Sequence, residues 1–104
     1  MNEIEQLTSS IREFATRRDW ERFHTPKNLA MAITGEAGEL AAEFQWLSTD
    51  EASMSSHLPI QKIELELADV AIYLLRLCDV LNIDFKGAIE KKMKLNESRF
   101  PAIK

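Results

Sequence analysis

At 104 residues, 45% hydrophobic and 29% charged, the chain reads as one soluble globular domain, residues 1–104, with room for a single core. Three glycines and three prolines leave few turns, so a handful of long helices is expected. A net charge of −4 with no dense run of Lys and Arg excludes a module that binds a nucleic-acid polymer, although a bound metal would let an acidic protein hold a nucleotide.

Ile4, Leu7, Ile11, Phe14 and Ala15 recur at helical spacing behind Asn2, a suitable N-cap, and predict a first helix over 3–18. Residues 17–24 read as a connector carrying two aromatics, Trp20 and Phe23. Thr25 followed by Pro26 places a hydroxyl cap before a proline at the first helical position, so a second helix starts at 26 and runs to about 47. Leu29, Ile33, Leu40, Phe44 and Leu47 form its apolar side. Gly35 and Gly38 each cost that helix about 1 kcal/mol relative to Ala; close packing of a neighbouring helix is the favoured explanation, space for a ligand the other.

Residues 48–59, rich in Ser and acids, read as a loop with a solvated His57. A third helix over 60–81 is apolar nearly all round, with Ile63, Leu65, Leu67, Val70, Ile72, Leu74, Leu75, Leu77 and Val80. Such a helix needs cover on every side. Three neighbours barely suffice, so association with another chain is expected. Asn82 closes it, Asp84 caps a last helix from 85 to about 98, and Pro101 lies beyond. The expected fold is all-α, a four-helix bundle.

Cys78 is the only cysteine, which rules out an intramolecular disulfide and suggests a reducing compartment and an apolar packing role. The first six residues lack the basic start and apolar run of a signal peptide. The longest apolar stretch, 67–81, is interrupted by Asp69, Arg76 and Asp79 and is too short to cross a bilayer. A cytoplasmic protein with no membrane partner is expected.

The chemistry is carried by two acid pairs, Glu36-Ala-Gly-Glu39 and Glu66-Leu-Ala-Asp69, each inside an apolar segment. Spacing of i, i+3 projects both carboxylates of a pair from one helix face. Two like charges ~4 Å apart repel by about 4 kcal/mol even at an effective dielectric of 20, so four converging acids need a counter-cation. Either pair alone could be an ordinary polar stripe; two of similar design favour metal. Oxygen donors without His or Cys select a hard ion, Mg²⁺ or Mn²⁺.

Gly35-Glu36-Ala37-Gly38-Glu39-Leu40 followed by Glu66-Leu-Ala-Asp69-Val-Ala-Ile-Tyr73 resembles the MazG-like, all-α nucleoside triphosphate pyrophosphatases, whose signature is an ExxE…ExxD pair set. The segments 18–29, 44–46 (Phe-Gln-Trp) and 92–101 look like the dCTP pyrophosphatase branch, so the resemblance covers nearly the whole chain. It implies Mg²⁺-dependent hydrolysis of (deoxy)nucleoside triphosphates to the monophosphate and pyrophosphate, by a homotetramer built as a dimer of dimers. It also implies that Glu36, Glu39, Glu66 and Asp69 hold metal, and that Trp20, His24, Trp46 and Tyr73 surround base and sugar. Lys92 and Asn96, with Arg99, would reach the phosphates from a neighbouring subunit. Some relatives place a histidine where this chain has Ile11, which points to dCTP first but looser base selection.

For Trp46 and Tyr73 the residues themselves leave core filling and base stacking equally open, and His24 could instead bond the following helix start. Trp20, in a polar connector, fits stacking better, a contact worth ~1–3 kcal/mol. The mechanism this suggests is metal-assisted attack of water on the α-phosphorus, with Glu36 or Glu39 as general base. Two rivals are weaker. A di-iron bundle needs Glu-x-x-His twice, whereas Glu21-x-x-His24 occurs once and position 54, three before His57, is Met. A non-catalytic helical interaction module would need no ordered acid tetrad.

Overall fold

The computed structural model describes residues 1–53 and 55–104. Among them are five α-helices and no strand: α1 (Glu3–Arg17), α2 (Pro26–Ala42), α3 (Thr49–Ala52), α4 (Ile60–Val80) and α5 (Phe85–Arg99). Short 3-10 turns occupy Glu21–Phe23 and Ser55–His57.

The helix starts follow from local chemistry. Asn2 accepts from the Glu5 amide while the Glu5 carboxylate returns to Asn2, a complete capping box. Thr25 accepts from the Asn28 amide at α2, and Asp84 from the Gly87 amide at α5. The ends of α1 and α4 share one device. Asp19 and Asn82 adopt left-handed φ of 56° and 57°, which short polar side chains tolerate. The next amides, Trp20 and Ile83, then reach back to the Ala15 and Cys78 carbonyls at 3.0 and 2.8 Å. The first of these reversals sets Trp20 and the 3-10 turn directly against the end of α1.

Two boundaries differ from expectation. α2 stops at Ala42 rather than near 47, because the Glu43, Phe44 and Leu47 amides bond carbonyls three residues back and tighten the chain out of α geometry. Ser48 then starts a new helix through a capping box with Glu51, so the stretch expected to be loop holds α3. That expected loop also includes Met54, which lies outside the described residues. His57 is exposed, as expected.

α4 is the central element, packing extensively on α2 and also on α1. Ala15, Leu29, Ile63 and Leu75 are the buried apolar residues at these contacts. α5 packs extensively on none of the others. A four-helix bundle therefore does not close within one chain: three long helices pack together and the fourth stands apart. The apolar character of α4 is correspondingly left uncovered at Leu65, Leu67 and Ile72. The accessible surface is 8265 Å², against about 5,900 Å² for a compact monomer of this mass. The radius of gyration is 16.7 Å, against about 13 Å.

One polar network ties α1 to α4. Arg12 grips the Asp79 carboxylate with two bonds of 2.8 and 2.6 Å, and Arg76 Nη1 adds a third at 2.8 Å. The Arg12 hydrogen bonds foremost, with both arginine charges, hold the Asp79 carboxyl below its ordinary range. A depressed carboxyl stabilises the fold fully above its unfolded value near pH 4, and the contribution disappears as pH falls through the depressed folded value. Asp79→Asn is expected to cost about 3 kcal/mol in urea unfolding at pH 7, since it leaves the buried Arg76 without its counter-charge. It should also flatten the acid side of the stability profile; an unchanged midpoint at pH 7 and pH 3.5 would refute this role.

Candidate active site

α2 and α4 lie against each other with their acids on facing sides. Carboxylate oxygens of Glu36, Glu66 and Asp69 all fall within 4.8 Å of one another. Glu39 is outside this triad, yet among charges it is the foremost influence on Glu66. Desolvation first, then Glu39, Asp69, Glu36 and Glu43, push the Glu66 carboxyl above its ordinary value. Among the described residues none of these five acids forms an ion pair.

The donor set fits a hard divalent cation. Three carboxylates from two helices supply only oxygen, in a cluster small enough to close on one ion, and nothing else in it offsets their repulsion. Glu43 is the acid that sequence reasoning missed. It follows Glu39 by four residues, one helical turn, and that spacing was its available signal.

Beside the acids is a cleft of about 370 Å³ lined by Trp20, Phe23, His24, Asn28, Leu29, Ala32 and Tyr73, in the size range of small-molecule sites. Trp20 stands edge-on to Phe14 at 5.6 Å and to His24 at 6.1 Å between ring centroids. His24 does not bond the following helix start; its Nδ1 accepts from Arg76 Nε at 3.0 Å. Burial, then the Arg76 charge, push the His24 pKa below its ordinary value.

Cleft and acids share their walls. Ala32 precedes Glu36 by four residues on α2, and Tyr73 follows Asp69 by four on α4. Each interval is one turn, about 6 Å along the axis. The aromatic recess and the acid cluster are therefore neighbouring storeys of one groove. Gly35 and Gly38 face open space: a Cβ at either would meet nothing within 4 Å. The close helix packing expected of them is absent within the chain, and open space takes its place.

The structure thus gathers Trp20, His24 and Tyr73 in one cleft and Glu36, Glu66 and Asp69 in one cluster. Trp46 lines neither; it is 88% exposed at the turn after α2, so core filling within this chain is excluded. Lys92, Asn96 and Arg99 ride on α5, away from the other helices and outside both groups.

No family model matches the chain. It is 42% identical to dCTP pyrophosphatase 1 of Homo sapiens over 101 residues and 42% identical to that of Rattus norvegicus over 100 residues. Those alignments take in 95% and 94% of this chain but 59% of each relative, so the chain spans about three-fifths of their length. The crystal structure of a pyrophosphatase from Archaeoglobus fulgidus superposes with a TM-score of 0.90 at 43% identity, covering 98% of this chain and 95% of that one.

Proposed function

The chain belongs to the MazG-like, all-α nucleoside triphosphate pyrophosphatases, on the side of the dCTP pyrophosphatases, and we propose that it hydrolyses deoxynucleoside triphosphates, dCTP first, to the monophosphate and pyrophosphate. The observation that carries this reading is the acid cluster one turn from an aromatic cleft, on the same two helices. A nucleotide has the matching layout, a flat base at one end and a polyanion at the other. In this reading residues 1–104 act as one domain, in the cytoplasm; among the described residues no helix is long and apolar enough to cross a membrane.

Glu36, Glu66 and Asp69 are the residues that would hold Mg²⁺, with Mn²⁺ as a substitute. When bound, the ion supplies neutralisation of the phosphate oxygens and Lewis acidity. The chain's own acids do the rest. Glu39, outside the triad yet close enough to act on Glu66, is the acid left to take the proton of the attacking water. The water oxygen bonds the α-phosphorus, and the bond to the bridging oxygen breaks to release pyrophosphate. Trp20, His24 and Tyr73 hold base and sugar in the cleft and fix the α-phosphorus over the acids. The half-buried Ile11 of α1 offers no polar group to the base, consistent with loose base selection.

The active form in this reading is a homotetramer, a dimer of dimers. The excess surface and the uncovered faces of α4 and α5 exceed what one standard interface of about 800 Å² per partner removes. Docking α5 against a neighbouring copy would complete the bundle and bring Lys92, Asn96 and Arg99 to the neighbour's phosphates. Trp46, idle in its own chain, then closes on the base. Trp46→Ala is expected to leave the fold intact and raise KM for dCTP, because stacking of ~1–3 kcal/mol is lost, roughly one to two decades if KM tracks Kd. Equal loss of turnover on every triphosphate at unchanged KM would show Trp46 to be misassigned.

The test of the activity is a screen of all NTPs and dNTPs with Mg²⁺, resolving the products. Monophosphate plus pyrophosphate, fastest from dCTP, is expected. Diphosphate plus orthophosphate, or no product from any triphosphate, would overturn the proposal, the second outcome leaving a nucleotide-binding module.

A further inference from the structure

Arg76 is a charged residue in the apolar C-terminal part of α4 and only 6% exposed. Its guanidinium has two described partners: the Asp79 carboxylate, and His24 Nδ1 at 3.0 Å from Nε. Asp79 is itself clamped by Arg12 from α1, so the orientation of Arg76 is held from both ends. The last link of this chain lines the cleft, and the proposed activity gives Arg76 no part.

We propose that Arg76 is a positioning residue: its Nε–H bond to Nδ1 holds His24 as the Nε2–H tautomer, so the ring presents a fixed hydrogen-bond donor to an acceptor on the base edge, a ring carbonyl or an unprotonated ring nitrogen. The proposal rests on the reading of the Trp20–Tyr73 cleft as the base site. Its chemistry is simple. Arginine has donors and no acceptor, so the nitrogen facing it carries the lone pair, and a neutral imidazole then carries its proton on the other. Nε2 donates to no other group among the described residues. Cytosine, with O2 and N3 on one edge, suits such a donor.

The arrangement also resists protonation. A second proton would go to Nδ1, directly against an arginine N–H, and the ring would lose its tie. The direction of the His24 shift, downward from burial and from Arg76, agrees. The other ionisable groups around the ring are accounted for. Tyr73 shares the cleft from α4. Asp79 is held between the two arginines. Within the connector, Glu21 bonds the Thr16 hydroxyl and Arg22 pairs with Asp19. The neutral ring, tied to Arg76 and so held in one orientation, therefore persists to lower pH than an ordinary histidine allows.

The test is histidine ¹⁵N and ¹³C NMR of the intact protein, with and without dCMP, beside steady-state kinetics of wild type and Arg76→Gln. His24 is expected to show the Nε2–H pattern and to titrate below an ordinary histidine, and its Nε2 resonance to move when dCMP binds. In Arg76→Gln, KM for dCTP should rise about three- to tenfold, the loss of one oriented hydrogen bond, with little change in kcat. KM should also become pH-dependent around 6.5 as His24 regains its ordinary titration. Should Arg76→Gln fail to fold, the wild-type spectra still decide. An Nδ1–H tautomer, ordinary titration in wild type, or no dCMP shift at Nε2 would overturn the assignment, as would an Arg76→Gln enzyme with wild-type KM at every pH. Triphosphate hydrolysis with a freely titrating His24 would sink this inference and spare the activity. The fixed tautomer and dCMP shift without hydrolysis would do the reverse.

Discussion

Asp69→Asn is expected to abolish dCTP turnover, by at least about a hundredfold, while leaving the fold intact. The amide keeps the volume of the carboxylate and removes a charge from a cluster whose oxygens lie within 4.8 Å of one another. Stability should move the opposite way. In the metal-free protein the three carboxylates repel without any cation to offset them, so the variant without metal should melt above metal-free wild type. Wild type should recover that deficit and more with Mg²⁺, because an ion bound only by the folded form adds about 2.7 kcal/mol at a hundred times its Kd. Asp69→Asn should lose most of this increment. Higher metal-free stability joined to lost turnover is the signature of a site whose charges are kept for binding. Near wild-type turnover of Asp69→Asn at saturating Mg²⁺ would refute the assignment. So would a wild-type melting temperature indifferent to both Mg²⁺ and EDTA.

Chains carrying Glu39→Gln and chains carrying Lys92→Ala are each expected to be nearly inactive, and to regain activity when mixed through reversible dissociation. The reasoning starts from α5, which packs extensively on no other helix and leaves Ile89, Met93 and Leu95 exposed along its length. A helix of 15 residues is marginal alone in water, so a partner surface is needed to hold it, and in the proposed tetramer a second copy would supply one. If each site takes acids from one chain and Lys92 from its neighbour, random pairing of an equal mixture leaves both intact in roughly a quarter of the sites. Activity near that fraction of wild type is the expected result. A mixture no better than its components, with tetramers re-formed, would place acids and Lys92 in one chain. A stable, fully active monomer in sedimentation would remove the composite site altogether.

Within about four residues, the sequence by itself determined most of this protein. The caps at Asn2, Thr25 and Asp84, the stop at Asn82 and the i, i+3 acid pairs are legible because each partner lies within one helical turn of the other. The Ser48–Glu51 capping box was equally local and announced α3 within a stretch that composition alone suggested was loop. What lies between turns of different helices is another matter. That Glu36 joins Glu66 and Asp69 while Glu39 stands outside depends on how α2 is rotated against α4, and helical periodicity leaves that rotation open. The Arg76–His24 bond joins residues 52 positions apart; the only sign of it was an arginine in an apolar helix, where burial demands a partner but does not name one. The separation of α5 is of the same kind. Asp84 and Pro101 bound a last helix in the sequence, and only the packing of the other three reveals that, among the described residues, its Ile89, Met93 and Leu95 stay exposed.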